Sequence, residues 1–180
     1  VLGVVDAATM VQHLNYGKVG ENFDGVSESL ETIGDQSTER ILLRSCEETI
    51  ALGEKLNQNL TNLNLLLLEG PLGAGKTSLV KGIANSLGIS EPITSPTFAL
   101  SQHYPNGSRN LIHLDLYRLE DQSAADELFL QEEECANSQK GLIVVEWPER
   151  LSLSLKDAWK IKLAYTSQEG RSAQIISPIN

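Results

Sequence analysis

The chain has only two cysteines, Cys46 and Cys135, and 14 Lys plus Arg against 24 Asp plus Glu, and it has no apolar run of bilayer-spanning length. Each shortage excludes something. Two thiols are too few for a disulfide framework or a zinc site, and they point to a reducing, cytoplasmic setting. Without a span of about 20 apolar residues, no membrane helix is expected. A formal charge of −10 argues against a protein that grips nucleic acid through its own surface, because phosphate contacts need clustered Lys and Arg. Any nucleic acid is then expected to be held by a partner. What remains is the composition of a globular protein, 41% hydrophobic and 21% charged, in 180 residues that fit one domain.

Residues Val1 to Glu39 stand apart. They hold seven acids against the single base Lys18, include five glycines, and show no sustained periodicity. That composition predicts a poorly ordered acidic extension over 1–39, without the pattern of a secretory signal or an organellar transit peptide. Residues 40–180 are expected to form a single α/β domain. Arg40 to Arg44 reads as a short edge strand. Ser45 and Glu48 form a capping box for a helix whose face carries Thr49, Leu52, Gly53 and Leu56. A glycine on that face costs about 1 kcal/mol against alanine, which suggests a close neighbour there.

The chain is organised around Gly70-Pro71-Leu72-Gly73-Ala74-Gly75-Lys76-Thr77, which fits the phosphate-binding pattern G-x-x-x-x-G-K-[ST]. A buried strand, Leu65 to Leu68, precedes it, and a helix from Lys76 to about Leu87 follows, closed by Gly88. Gly70, Gly73 and Gly75 let the backbone aim successive N–H groups, with those of Ala74 through Ser78, at an anion at the helix N-terminus. Lys76 is expected to reach the outer phosphates, and the Thr77 hydroxyl to meet Mg²⁺.

Further on, Phe98 to Tyr104 and Asn110 to Leu116 read as strands joined by Pro105-Asn106-Gly107-Ser108. A helix over Ser123 to Glu134 is expected, with Ser123 capping and Gln131 to Glu134 as a solvated face. Gly141 to Trp147 is an apolar strand ending in an acid. Trp159 to Ala164 and Ala173 to Ile176 read as a closing strand pair with Gly170 in the turn. The predicted fold is α/β, a P-loop NTPase-like three-layer sandwich with a mixed sheet, parallel at its centre.

A nucleotide site of this type also needs an acid at the end of a neighbouring strand. Glu146 fits best. Asp115 is the second candidate, since in His113-Leu114-Asp115-Leu116-Tyr117 the polar side chains share one strand face. Thr97, in the loop Thr94-Ser95-Pro96-Thr97-Phe98, is a candidate switch residue touching metal or γ-phosphate.

These motifs together resemble the TsaE family. The resemblance rests on Thr49-x-x-Leu52-Gly53-x-x-Leu56, the glycine loop, Ser95-Pro96-Thr97-Phe98, His113-Leu114-Asp115-Leu116-Tyr117-Arg118-Leu119 and Glu146-Trp147-Pro148-Glu149-Arg150, in this order. It spans roughly Arg40 to Ile176 and leaves the N-terminal segment outside. It implies a small bacterial protein that binds and slowly hydrolyses ATP, with Mg²⁺ held by the residues matching Thr77 and Glu146. It further implies work in complex with TsaB and TsaD, which transfer a threonylcarbamoyl group to an adenosine next to the tRNA anticodon; the ATPase supports repeated cycles. By the same resemblance Thr49 lies beside the nucleotide, Thr97 sits in a switch-like loop, Asp115 and Trp147 matter for activity, and Arg171 lies near the nucleotide. A small-molecule kinase sharing the P-loop is the alternative, although no Arg-rich lid is evident. A nucleotide-binding module without catalysis is a third reading.

Overall fold

The computed structural model describes residues 27–33, 36–60, 62–167 and 170–179. Among these residues eight strands form one sheet in the order β1-β2-β8-β7-β3-β6-β5-β4. They are β1 (Ser27–Ile33), β2 (Gln36–Leu43), β3 (Leu65–Glu69), β4 (Ser101–Tyr104), β5 (Leu111–Asp115), β6 (Leu142–Glu146), β7 (Trp159–Tyr165) and β8 (Arg171–Ile176). The central four, β7-β3-β6-β5, are parallel, and antiparallel strands extend the sheet on both sides. The central strands β3 and β6 are apolar on both faces up to their terminal acids, because helices cover both, as in a parallel sheet.

Among the described residues three α-helices complete the layers: α1 (Cys46–Asn59), α2 (Lys76–Ser86) and α3 (Gln122–Gln139). Strand alternation divides the core between them. Leu66, Leu68, Val144 and Ile161 face one way and pack in a cluster with Leu52, Leu56, Leu79 and Ile83 of α1 and α2. Leu67, Ile112, Ile143 and Val145 face the other way and pack with Ala125 and Phe129 of α3. Each fully buried Leu, Ile, Val or Phe among them contributes about 1.5–3 kcal/mol of hydrophobic stabilisation. The α/β, mixed and centrally parallel architecture is the expected one.

The glycine on the α1 face has its close neighbour. A Cβ at Gly53 would lie 2.2 Å from the Leu79 carbonyl oxygen, and one at Gly82 would lie 1.9 Å from that of Ile50. The two helices therefore touch backbone to backbone, and neither position admits a methyl group without displacement. The capping box is half realised: Glu48 N–H donates to Ser45 Oγ at 3.2 Å, but Glu48 Oε2 accepts from Arg44 N–H, one residue earlier than the reciprocal bond would use.

Five expectations need correction. Strand structure starts before Arg40: β1 and the first residues of β2 lie within the stretch whose composition pointed to poor order, and residues 1–26 lie outside those described. β2 is interior, paired with β1 on one side and β8 on the other, rather than an edge strand. Ladder pairing satisfies backbone groups whatever the side chains, so a polar, acidic stretch can still join a sheet. The cap of α3 is Asp121, whose carboxylate accepts from Ser123 N–H, and the helix runs on to Gln139. Within it Glu132 is buried, not solvated: the inner stripe is Ala125, Phe129, Glu132 and Ala136.

Candidate functional site

The glycine loop leaves β3 and enters α2 at the carboxyl end of the parallel strands. Gly70, Gly73 and Gly75 have φ of 141°, 77° and 106°, values that side chains other than glycine rarely adopt. At Gly75 the space is also closed, since a Cβ would come within 3.3 Å of Thr49 Cγ2. The loop is thereby pressed against α1, and Thr49 is wholly buried there. Its hydroxyl donates back to the Ser45 carbonyl at 3.1 Å, so the methyl is what faces Gly75. Ala74 is buried under the loop, while Leu72 projects from its tip.

Lys76, the first residue of α2, is only 5% exposed. Its Nζ donates to the carbonyls of Gly70 (2.7 Å) and Pro71 (3.0 Å) and stands 4.0 Å from the centroid of the Trp147 ring. Burial pulls its pKa down, opposed by the negative charges of Glu146, Asp115 and Glu149. Next to it, Thr77 Oγ1 donates to Glu146 Oε1 at 2.8 Å. The same oxygen lies 2.9 Å from His113 Nε2. Glu146 and His113 are both buried, so this carboxylate is oriented from two sides in a low-dielectric setting.

Parallel register sets Asp115 of β5 opposite Glu146 of β6, which puts two carboxylates side by side at the strand ends. Asp115 Oδ2 accepts from Ser95 Oγ (2.5 Å) and Thr97 Oγ1 (2.6 Å), and its Oδ1 accepts from Tyr117 N–H (3.0 Å). Asp115 thus pins the loop that carries Thr97. Trp147, directly after Glu146, adopts φ 61°, a left-handed conformation that costs a bulky residue on the order of 1–3 kcal/mol. Its N–H bonds to Leu68 O at 3.2 Å, and its ring packs against Tyr117 with centroids 4.9 Å apart. That contact and the Lys76 ammonium offset the strain.

Around the rim, Arg171 of β8 reaches the Gly73 carbonyl through Nη2 at 3.4 Å, and its Nε is buried without a hydrogen-bond partner. Ser78 Oγ lies 3.3 Å from Cys46 Sγ, turned toward α1. The structure therefore brings Thr49, the loop from Gly70 to Ser78, Thr97, Asp115, Glu146, Trp147 and Arg171 to one end of the sheet. Two further participants have weak or no sequence signal. Ser95 could be suspected from its place two residues before Thr97. Tyr165, whose hydroxyl donates to Leu72 O at 2.8 Å, lies in an ordinary alternating strand and has no local mark.

The donor set suits a magnesium nucleotide. Thr77 and Glu146 present hard oxygen donors already within hydrogen-bonding distance of each other, and the loop that precedes them has positive φ at three glycines, a conformation from which backbone N–H groups can converge on an anion.

Three layers around a centrally parallel sheet, with a phosphate-loop sequence pattern between a buried strand and a helix, define the class: an α/β protein with its site at the strand carboxyl ends. Residues 43–173 match the family model described as "Threonylcarbamoyl adenosine biosynthesis protein TsaE". The chain belongs to the TsaE family. It is 41% identical over 149 residues, 81% of this chain and 89% of the relative, to a tRNA threonylcarbamoyladenosine biosynthesis protein TsaE of Nostoc sp.. To the protein of the same name from Treponema pallidum it is 40% identical over 118 residues, 66% and 84% of the two chains. Among solved structures, Bacillus subtilis YdiB superposes with a TM-score of 0.62 at 27% identity, covering 86% of this chain and 90% of that one.

Proposed function

We propose that this protein is a Mg²⁺-dependent ATPase that serves as the nucleotide-driven subunit of a tRNA-modifying complex. The complex adds a threonylcarbamoyl group to the adenosine next to the anticodon, working with TsaB and TsaD homologues in the cytoplasm. The observation that carries the ATPase reading is the contact of Thr77 Oγ1 with Glu146 Oε1 at 2.8 Å, which joins the end of the glycine loop to a strand-end acid. Thr77 and Glu146 would hold Mg²⁺, which when bound neutralises charge on the phosphate oxygens.

The chain's own residues supply the rest. The loop N–H groups and the α2 dipole bind phosphate. Lys76 exchanges its two carbonyl acceptors for the outer phosphates, as a buried cation with a rigid partner ring on one side. His113 keeps Glu146 oriented. Asp115, accepting from Ser95 and Thr97, ties the state of the Thr97 loop to the end of β5, where a γ-phosphate or its attacking water would be sensed. The acidic surface leaves tRNA to the partner proteins.

Lys76→Ala and Glu146→Ala should each abolish ATP turnover and stop multiple-turnover modification of tRNA by TsaB and TsaD. Normal modification by either variant would sink the proposal. ATP consumption that depends on a small metabolite, with no partner protein present, would instead favour a kinase.

A further inference from the structure

We propose that His103, Glu132 and Cys135 form a second metal site, one for a zinc-class cation, on the face of the sheet away from the glycine loop. His103 lies on β4 and, by register, opposite Ile112, which belongs to the cluster packed with α3. Glu132 and Cys135 stand three residues apart on α3, one helical turn, and so share a face. One ligand atom from each of the three lies within 4.8 Å of the others. Among the described residues this is the sole such group of three or more His, Cys, Asp and Glu side chains.

Each member has a feature that suits a ligand. Glu132 is a carboxylate drawn into the apolar stripe of α3, its side chain 10% exposed, where it meets His103 Nε2 at 2.7 Å. A buried acid facing one half-exposed imidazole is a weak structural bargain, since a salt bridge of that kind adds little stability by itself. The thiol has an outer donor: Gln139 Nε2 lies 3.5 Å from Cys135 Sγ, and Asn110 Nδ2 fixes that amide through Gln139 Oε1 at 2.5 Å. A donor aimed at sulfur stabilises the thiolate and is a usual supporting contact at metal sites.

One nitrogen, one oxygen and one sulfur favour a borderline cation, with a fourth tetrahedral position left for water. Sulfur and low coordination select against Mg²⁺, so ATP-bound magnesium would not compete. The cysteine count alone argues against zinc; the fold supplies the missing donors from a strand and a helix. A cation here would join the edge strand β4 to α3. The chain enters β4 from the Thr97 loop, so metal would hold that loop's downstream anchor.

The test uses the full chain with Cys46→Ser, which leaves Cys135 as the single thiol, titrated with Co²⁺ and then Zn²⁺. A near-ultraviolet thiolate-to-cobalt band should grow to one equivalent and be erased by zinc. Cobalt bound at Thr77 and Glu146 gives no such band, because no sulfur lies in that pair. His103→Ala should weaken the cobalt affinity at least about tenfold, and Cys135→Ser should abolish the band. As a second readout, zinc should slow alkylation of Cys135 at least about tenfold, since a metal-held thiolate is masked, with protection lost on acidification as the ligands protonate. A folded protein that gives no sulfur band, a band indifferent to His103→Ala, or an unchanged alkylation rate overturns the site and leaves His103 and Glu132 as an ion pair only. None of these outcomes bears on the ATPase reading.

Discussion

On one face of the sheet two helices lie backbone against backbone, Gly53 and Gly82 leaving no room for a methyl group between them. On the other face α3 alone among the described helices packs, through Phe129, and the flank over β3 and β7 opens into a groove of about 640 Å³ lined in part by Glu69, Lys160 and Lys162. The two strand-end acids lie at the end of the first face: Glu146 and Asp115 continue the strand alternation of Val144 and His113, and α2 grows directly out of the glycine loop, whereas Trp147 packs against the cluster of the second face. Tight packing there is a positioning device. A helix that cannot slide holds Lys76 and Thr77 within hydrogen-bonding reach of fixed partners, whereas the second face is free to be looser because its job is burial.

This contrast can be broken from either side. The largest effect is expected from Phe129→Ala on the α3 face, about 3–5 kcal/mol of stability lost to a cavity. Urea unfolding would measure it, and ATP affinity of the folded fraction should hold; a matching collapse of affinity would mean that the faces are not separable. Gly82→Ala should cost about 1–3 kcal/mol or more, because the new methyl meets the Ile50 carbonyl at 1.9 Å. Here nucleotide affinity must fall along with stability, since α2 carries the loop. Retained affinity would show that the close approach of α1 and α2 does not position the site.

His113→Ala should cost about 1–3 kcal/mol by leaving a buried Glu146 oxygen with one donor fewer. The sharper readout is the magnesium concentration needed for half-maximal turnover, which should rise while the fold persists. The smallest effect is expected from Ser45→Ala, about 1 kcal/mol from the lost cap of α1. Thermal unfolding would register it with little change in turnover, unless the Ser45 carbonyl's bond to Thr49 also shifts.

Much of this was legible locally. The glycine loop, its strand and its helix are contiguous, and their glycines stand where positive φ is required. The polar face of β5 follows from strand alternation, and it correctly sets His113 and Asp115 on one side and Leu114 on the other. The misreadings share a cause. Composition made residues 27–33 and 36–39 resemble a loose tail, yet β1 pairs with β2 and β2 pairs with β8. Charge density made Gln131 to Glu134 resemble a solvated face, yet Glu132 on α3 meets a histidine 29 residues away on β4. In both places a distant partner outweighed local character.

The sequence by itself determined the family, because the five motifs keep their order and spacing. Tertiary structure decided which acid meets Thr77, since Glu146 is 69 residues further on and parallel pairing of β3 with β6 brings it there. It also decided that Tyr165 braces the loop from 93 residues away and that Ser95 shares Asp115 with Thr97. Contacts of that range depend on strand order and register, which no local pattern encodes.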